Sequence, residues 1–220
     1  MKKYLPTFIR IVFLVLFVLL IQNGKMMLWF GIYAFSLILA LIFGRIYCGY
    51  ICPMNTLMIP TDRIAKKLKI QTNKSPKWLQ SGKIAWVAIF ISLAVMLFAK
   101  RIMGRNIPIL LIWLVISVVI TLRYKPSVFH NLICPFGPLQ RIFGKFARFS
   151  ENVDKEGCIG CYKCEKVCPS EAILVNEEDK KAEINTSLCH QCTNCVQVCP
   201  TDTICYSNLN NKLNTNTTPL

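Results

Sequence analysis

The chain has 220 residues, enough for one or two domains, and its charge divides near residue 150. Residues 1–150 carry twenty Lys and Arg against the single Asp62, a balance of +19, while the remainder carries six against ten, a balance of −4. The basic residues flank long apolar runs and form no basic-aromatic reading surface, which sets a nucleic-acid partner aside in favour of a lipid bilayer.

Four stretches read as membrane spans: Tyr4 to Ile21, Met26 to Phe43, Ile84 to Ala99 and Ile107 to Leu122. The second has eighteen uncharged residues in a row. The third and fourth have sixteen each, so as helices they reach roughly 24 Å, short of a hydrocarbon core of about 30 Å. Lys83, Lys100 and Arg123 stand at their edges and Arg10 near the start of the first, where long stems can snorkel to the headgroups. Buried core helices of a soluble protein are the bland alternative, but four runs without a charged face leave nothing amphipathic to sit at a surface. A cleaved leader is the alternative for the first run; the IQNGK that follows lacks a small-residue cleavage pattern, so it reads as an uncleaved helix. Gln22 to Lys25 then forms a tight hairpin loop around Asn-Gly.

The segment after span two carries Arg45, Arg63, Lys66, Lys67, Lys69, Lys74, Lys77 and Lys83, against Lys25 in the first loop and Lys100, Arg101 and Arg105 in the third. Positive charge stays inside, which puts both termini and the C-terminal domain in the cytoplasm of a prokaryotic cell. Within the long segment Thr61 is a candidate cap for a short helix whose Ile64, Leu68 and basic neighbours suit an anionic membrane surface; a solvated charged loop reads equally well.

Three cysteines lie just past spans two and four. In GRIYCGYICPMNTL, Cys48 and Cys52 are four apart, on one face of a helical ending that Pro53 stops, and in FHNLICPFGPLQ, His130 and Cys134 repeat the spacing before Pro135. Together they offer a Cys3His set for a third metal or redox centre at the membrane face, connecting the bundle to the clusters described next. The rival is a redox-active thiol pair at Cys48 and Cys52, with His130 an ordinary loop residue.

From residue 158 the chain reads CIGCYKCEKVCPSEAILV, and thirty-one residues later CHQCTNCVQVCPTDTICY. This is an internal duplication, and each CxxCxxCxxxCP run supplies three thiolates to one cubane and its fourth to the other. One 4Fe-4S cluster then takes Cys158, Cys161, Cys164 and Cys199, and the second takes Cys189, Cys192, Cys195 and Cys168. Structural zinc calls for paired CxxC without the third cysteine and CP, and disulfides call for an oxidising compartment. Cys205 falls where the first half has Leu174 and reads as a small buried apolar residue; His190 reads as a surface residue.

The GRxYCGxxCP box at 44 to 53, the CP at 134 to 135 and the two ferredoxin runs, in that order, resemble the membrane-bound polyferredoxin-type proteins. These include the quinol-dehydrogenase membrane component of periplasmic nitrate reductases, with relatives in nitrous-oxide reductase regulation and cytochrome oxidase assembly. The resemblance covers about residues 1 to 206, and this chain departs from the family's two CxxxCP boxes in having His130 where the second box begins. The fold class read here is an α-helical membrane protein of four transmembrane helices with a C-terminal α+β two-cluster ferredoxin-like domain: a membrane domain over 1–149, a ferredoxin domain over 150–206 and a disordered tail over 207–220.

The only histidines, His130 and His190, lie outside the spans, which excludes a haem held by paired histidines within them. No GxGxxG or GxxxxGK(S/T) marks a nucleotide site. The function implied is a membrane-anchored iron-sulfur electron-transfer subunit without a substrate site of its own. By resemblance it passes single electrons between quinol or quinone and a partner oxidoreductase. The alternative is a maturation or regulatory factor that supplies electrons to the metal centre or thiols of another enzyme during assembly.

Overall fold

Long uncharged runs must satisfy their backbone groups internally, and the computed structural model, which describes residues 4–72, 79, 82–103 and 108–209, has helices at each of them. Helix α1 (Leu5–Gln22) opens with Pro6, whose missing N–H costs nothing in a first turn. It ends at Asn23-Gly24, where Gly24 takes φ 66° and lets Lys25 N reach Leu20 O at 2.9 Å. Helix α2 (Met26–Phe43) follows directly, so the expected hairpin is present. Helix α4 (Lys83–Met103) runs past the expected end and gathers Lys100 and Arg101 into its last turn, where cations suit the helix dipole. Its 21 residues reach about 32 Å, which removes the expected shortfall there. Helix α5 (Ile109–Arg123), capped by Pro108, keeps only 15 residues, about 22 Å. Leu5–Gln22, Met26–Phe43 and Lys83–Ile102 are long and apolar enough to cross a membrane; α5 is a shorter apolar helix. Lys74, Lys77 and Arg105 lie outside the described residues, as does the tail from 210.

The chain forms two compact units, one of residues 1–35 with 47–139 and one of 36–46 with 140–220. In the first, Phe17, Met26, Trp29, Ile109 and Leu110 make a buried apolar cluster, with Phe17 edge-on to Trp29 at 5.0 Å. Arg10 does not snorkel: only 7% exposed, it donates from Nε to Gly49 O at 2.8 Å and lies over the Tyr50 ring. Gly49 belongs to a single π turn, π1 (Tyr47–Ile51), whose wide i→i+5 closure runs from Cys52 N to Tyr47 O. Pro53 ends the π turn, as expected, with Cys52 before it extended, and also starts a further helix, α3 (Pro53–Lys67), capped by Cys52. Thr61 is therefore inside α3 and bonds Leu57 O instead of capping. After α5, a three-residue helix α6 (Pro126–Val128) leads into a second π turn, π2 (Phe129–Ile133), and then to α7 (Gly137–Gly144).

The second unit holds two antiparallel ribbons, β1 (Phe149–Val153) with β4 (Ile204–Asn208) and β2 (Ile173–Val175) with β3 (Ala182–Ile184). Short helices α8 (Lys163–Val167) and α9 (Asn194–Val198) lie between them in sequence. Register follows the duplication: Val153↔Ile204 and Glu151↔Tyr206 in one ribbon become Ile184↔Ile173 and Ala182↔Val175 in the other, each shifted by thirty-one. The ribbon β1–β4 rests on the last turn of α2, where Phe43 stacks on Phe149, Phe149 on Tyr206, and the Tyr206 hydroxyl donates to Phe43 O at 3.0 Å.

Gly160 has φ 65°, and a Cβ there would stand 2.3 Å from Lys180 O, a backbone atom that cannot swing away. Gly82 has φ 66° with nothing within 4 Å. Gly82→Ala should therefore cost no more than the roughly 1–2 kcal/mol of a left-handed residue, and Gly160→Ala clearly more, as read from denaturant midpoints.

Candidate metal centres

The two cysteine runs share one backbone path. Left-handed residues recur at matching places, Gly160 with Gln191, Tyr162 with Thr193 and Glu171 with Asp202, so each run folds its first three thiols around one short helix start. The duplicated turn after each fourth cysteine then carries that residue away from its own run. Cys199 lines a cavity with Cys158, Cys161 and Cys164, walled by Val153, Ala182 and Ile204. On the other side Cys168 stands within electrostatic reach of Cys189 and Cys195, which also share Cys192.

The pocket that Cys158, Cys161, Cys164 and Cys199 line is partly open to solvent. Three thiols of one CxxCxxC run joined by the fourth of the other are a donor set of the kind a cubane takes. Among the described residues no three His, Cys, Asp or Glu side chains converge on a single-ion site. Burial pushes the Cys189 thiol up to about 12 and raises Cys195 well beyond the usual thiol range. At Cys199 burial also acts upward, but hydrogen bonds from Thr203 and Thr201 outweigh it and bring the thiol down to about 7.

The sets differ in exposure. Cys161 is exposed and Cys158 and Cys199 half-buried, whereas Cys189, Cys192 and Cys195 are buried. His190 is also buried, at 1% exposure, not on the surface as expected; Gln191 beside it bonds Glu151 N at 2.9 Å and Ser150 Oγ at 2.8 Å. Gly44, at φ 73°, admits the Gln191 side chain where a Cβ would meet Nε2 at 2.6 Å. Arg45, 1% exposed, donates to Ser187 O and Leu188 O just before Cys189. Cys205, expected to be buried, is exposed; its strand partner position in the repeat, Leu174, is exposed too, so this face of both ribbons points outward.

The other candidate donors sit in two matching turns. Cys48, Cys52, His130 and Cys134 are all buried, and Cys134 N closes π2 onto Phe129 O as Cys52 N closes π1 onto Tyr47 O, both at 2.8 Å. Asn55 ties the turns together, donating to Cys48 O at 2.8 Å while its Oδ1 meets His130 Nε2 at 3.2 Å. Burial, with Cys134 and Cys48 as like-charged neighbours, pushes the Cys52 thiol well above its ordinary range. A thiol so placed is a poor nucleophile. The i→i+4 pairs seen in sequence thus lie on π turns rather than at plain helix ends, and Asn55 gave no signal of its role.

Residues 150–200 match the 4Fe-4S dicluster domain model, and residues 26–71 and 106–153 each match the 4Fe-4S binding domain model. The double match pairs α2, π1 and α3 with α5, π2 and α7, so the N-terminal helical region is itself repeated. The chain is similar to the uncharacterized protein MJ0749 of Methanocaldococcus jannaschii, 28% identical over 70% of this chain and 63% of that one. It is also similar to the methylamine utilization ferredoxin-type protein MauN of Methylobacillus flagellatus, 25% identical over 65% and 54%. A third relative is the putative electron transport protein YccM of Escherichia coli K12, 25% identical over 70% and 48%. The chain thus spans between about half and just under two thirds of these relatives' lengths.

Alkylation of the folded protein followed by peptide mass spectrometry should label Cys205 and spare Cys48, Cys52 and Cys134 until denaturant is added. Labelling of Cys48 or Cys52 in the folded state would revive the reactive thiol pair.

Proposed function

We propose that this ferredoxin-type iron-sulfur protein is a membrane-anchored electron carrier, passing single electrons between quinol or quinone and a partner oxidoreductase. The observation that carries it is the gathering of Cys199 with Cys158, Cys161 and Cys164 around one pocket. In this reading those four hold one 4Fe-4S cluster, and Cys189, Cys192, Cys195 and Cys168 hold the second. The clusters, when bound, supply one-electron redox chemistry. The chain's own residues fix the thiols, screen the second set from water and leave Cys161 at the surface, where a soluble partner can approach.

The membrane side rests on three helices of spanning length, with α5 proposed as a fourth, and on the relatives named as ferredoxin-type and electron transport proteins. The proposed layout has a membrane domain before β1, a ferredoxin domain that the β1–β4 ribbon extends from the expected 150–206 to 149–208, and a tail after it, with both termini and the ferredoxin domain cytoplasmic. Quinol is the proposed membrane-side partner, as in the nitrate-reductase quinol-dehydrogenase proteins that the chain resembles. Cys48, Cys52, His130 and Cys134 are proposed as a third centre, supported by their joint burial and by the Asn55 bridge between their turns. With His130 Nε2 engaged by Asn55, a metal bond from this ring would run through Nδ1.

In anaerobic membranes containing this chain, a quinol analogue should reduce the clusters or a quinone reoxidise them, followed by their visible absorbance. No response to either would favour the maturation role, in which deletion lowers the metal content of another enzyme while its polypeptide remains.

A further inference from the structure

The duplication supplies an internal control on the two ligand sets. A shift of thirty-one carries β1 onto β3 with the register of both ribbons kept, so Ser150 corresponds to Lys181 and Glu151 to Ala182. Ala182 is 2% exposed and lines the cavity of the Cys158 set. Glu151, 3% exposed, holds the matching place beside the Cys189 set, within electrostatic reach of Cys189 and Cys195. Its Oε2 is buried and has no hydrogen-bond partner among the described residues. One position earlier the difference reverses: Lys181 Nζ donates to Cys158 O at 2.6 Å, while its counterpart Ser150 is a buried neutral hydroxyl held by Gln191.

Resting on the ligand sets proposed above, we infer that Lys181 and Glu151 are potential-setting residues of opposite sign: Lys181 makes the cluster of the Cys158 set easier to reduce, and Glu151 makes that of the Cys189 set harder to reduce. Adding an electron to a cluster adds negative charge, so a nearby ammonium favours the reduced form and a nearby carboxylate opposes it. Burial strengthens the second effect, because water that would screen a surface carboxylate is excluded around Glu151. Arg45, which donates to Ser187 O and Leu188 O ahead of the second run, acts there in the direction opposite to Glu151. The inference therefore concerns what each residue contributes, and single substitutions read that directly because they leave Arg45 in place.

The test is an anaerobic redox titration of the full chain in its membranes at alkaline pH, followed by the paramagnetic signals of the reduced clusters. Cys161→Ser and Cys192→Ser, one from each run, assign the signals to their sets. Glu151→Gln should raise the potential of the Cys189-set cluster by the equivalent of a fivefold to tenfold change in its reduction equilibrium, tenfold being 59 mV for one electron. Lys181→Met should lower that of the Cys158-set cluster in the same range, and Lys181→Arg should restore it. Each arm stands alone if the other variant fails to assemble, and iron content confirms that both clusters are retained. Two signals whose potentials move less than twofold, or in the reverse directions, would overturn the inference while leaving the ligand sets intact. Absence of reduced-cluster signals from the unsubstituted protein would overturn both.

Discussion

Neither half of the duplicated C-terminal domain gathers four thiols of its own. Cys199 stands with Cys158, Cys161 and Cys164, and Cys168 with Cys189 and Cys195, because each run ends in a turn that carries its fourth cysteine to the other side. The apolar core between them is small: Val153, Ile173, Val175, Ala182 and Ile204, completed by Cys164 and Cys195 themselves. Two of the seven core positions are thus candidate ligands. A domain of about fifty residues with so little else to bury depends on whatever those thiols bind.

The same exchange makes the two sites near-copies whose differences become legible. Ile159-Gly160 in the first loop is exposed or half-buried, whereas His190-Gln191 in the second is buried and docked against Gly44 at the end of α2. One set is therefore open to solvent and the other is covered by the segment 36–46 of its own unit.

Much of this arrangement was legible in the sequence for reasons that can be named. Cysteine spacing fixes which thiols share a loop, and an offset of thirty-one residues carries strand register as well as ligands, so Val153↔Ile204 and Ile184↔Ile173 were implicit in the repeat. What stayed hidden depends on packing between distant segments. Arg10 was read as snorkelling because its partner, Gly49 O, lies 39 residues away. His190 was read as exposed because nothing local shows that α2 ends against its loop. Pro53 does end the turn before it, but nothing local shows that it also starts α3, since a proline after an extended cap starts a helix as readily as it ends one. The repeat in the N-terminal helical region is marked in the sequence only at its Cys-Pro turns, because apolar helices share composition rather than identity.

Counting iron in paired cysteine variants, purified anaerobically from bilayers, tests the exchange most directly. Cys158→Ala combined with Cys199→Ala should lose no more iron than Cys158→Ala alone, since both fall in one set. Cys158→Ala combined with Cys168→Ala should lose close to all of the ~8 irons that two cubanes bring. The opposite result, with Cys168 sharing the fate of Cys158 and Cys199 that of Cys189, would contradict the account.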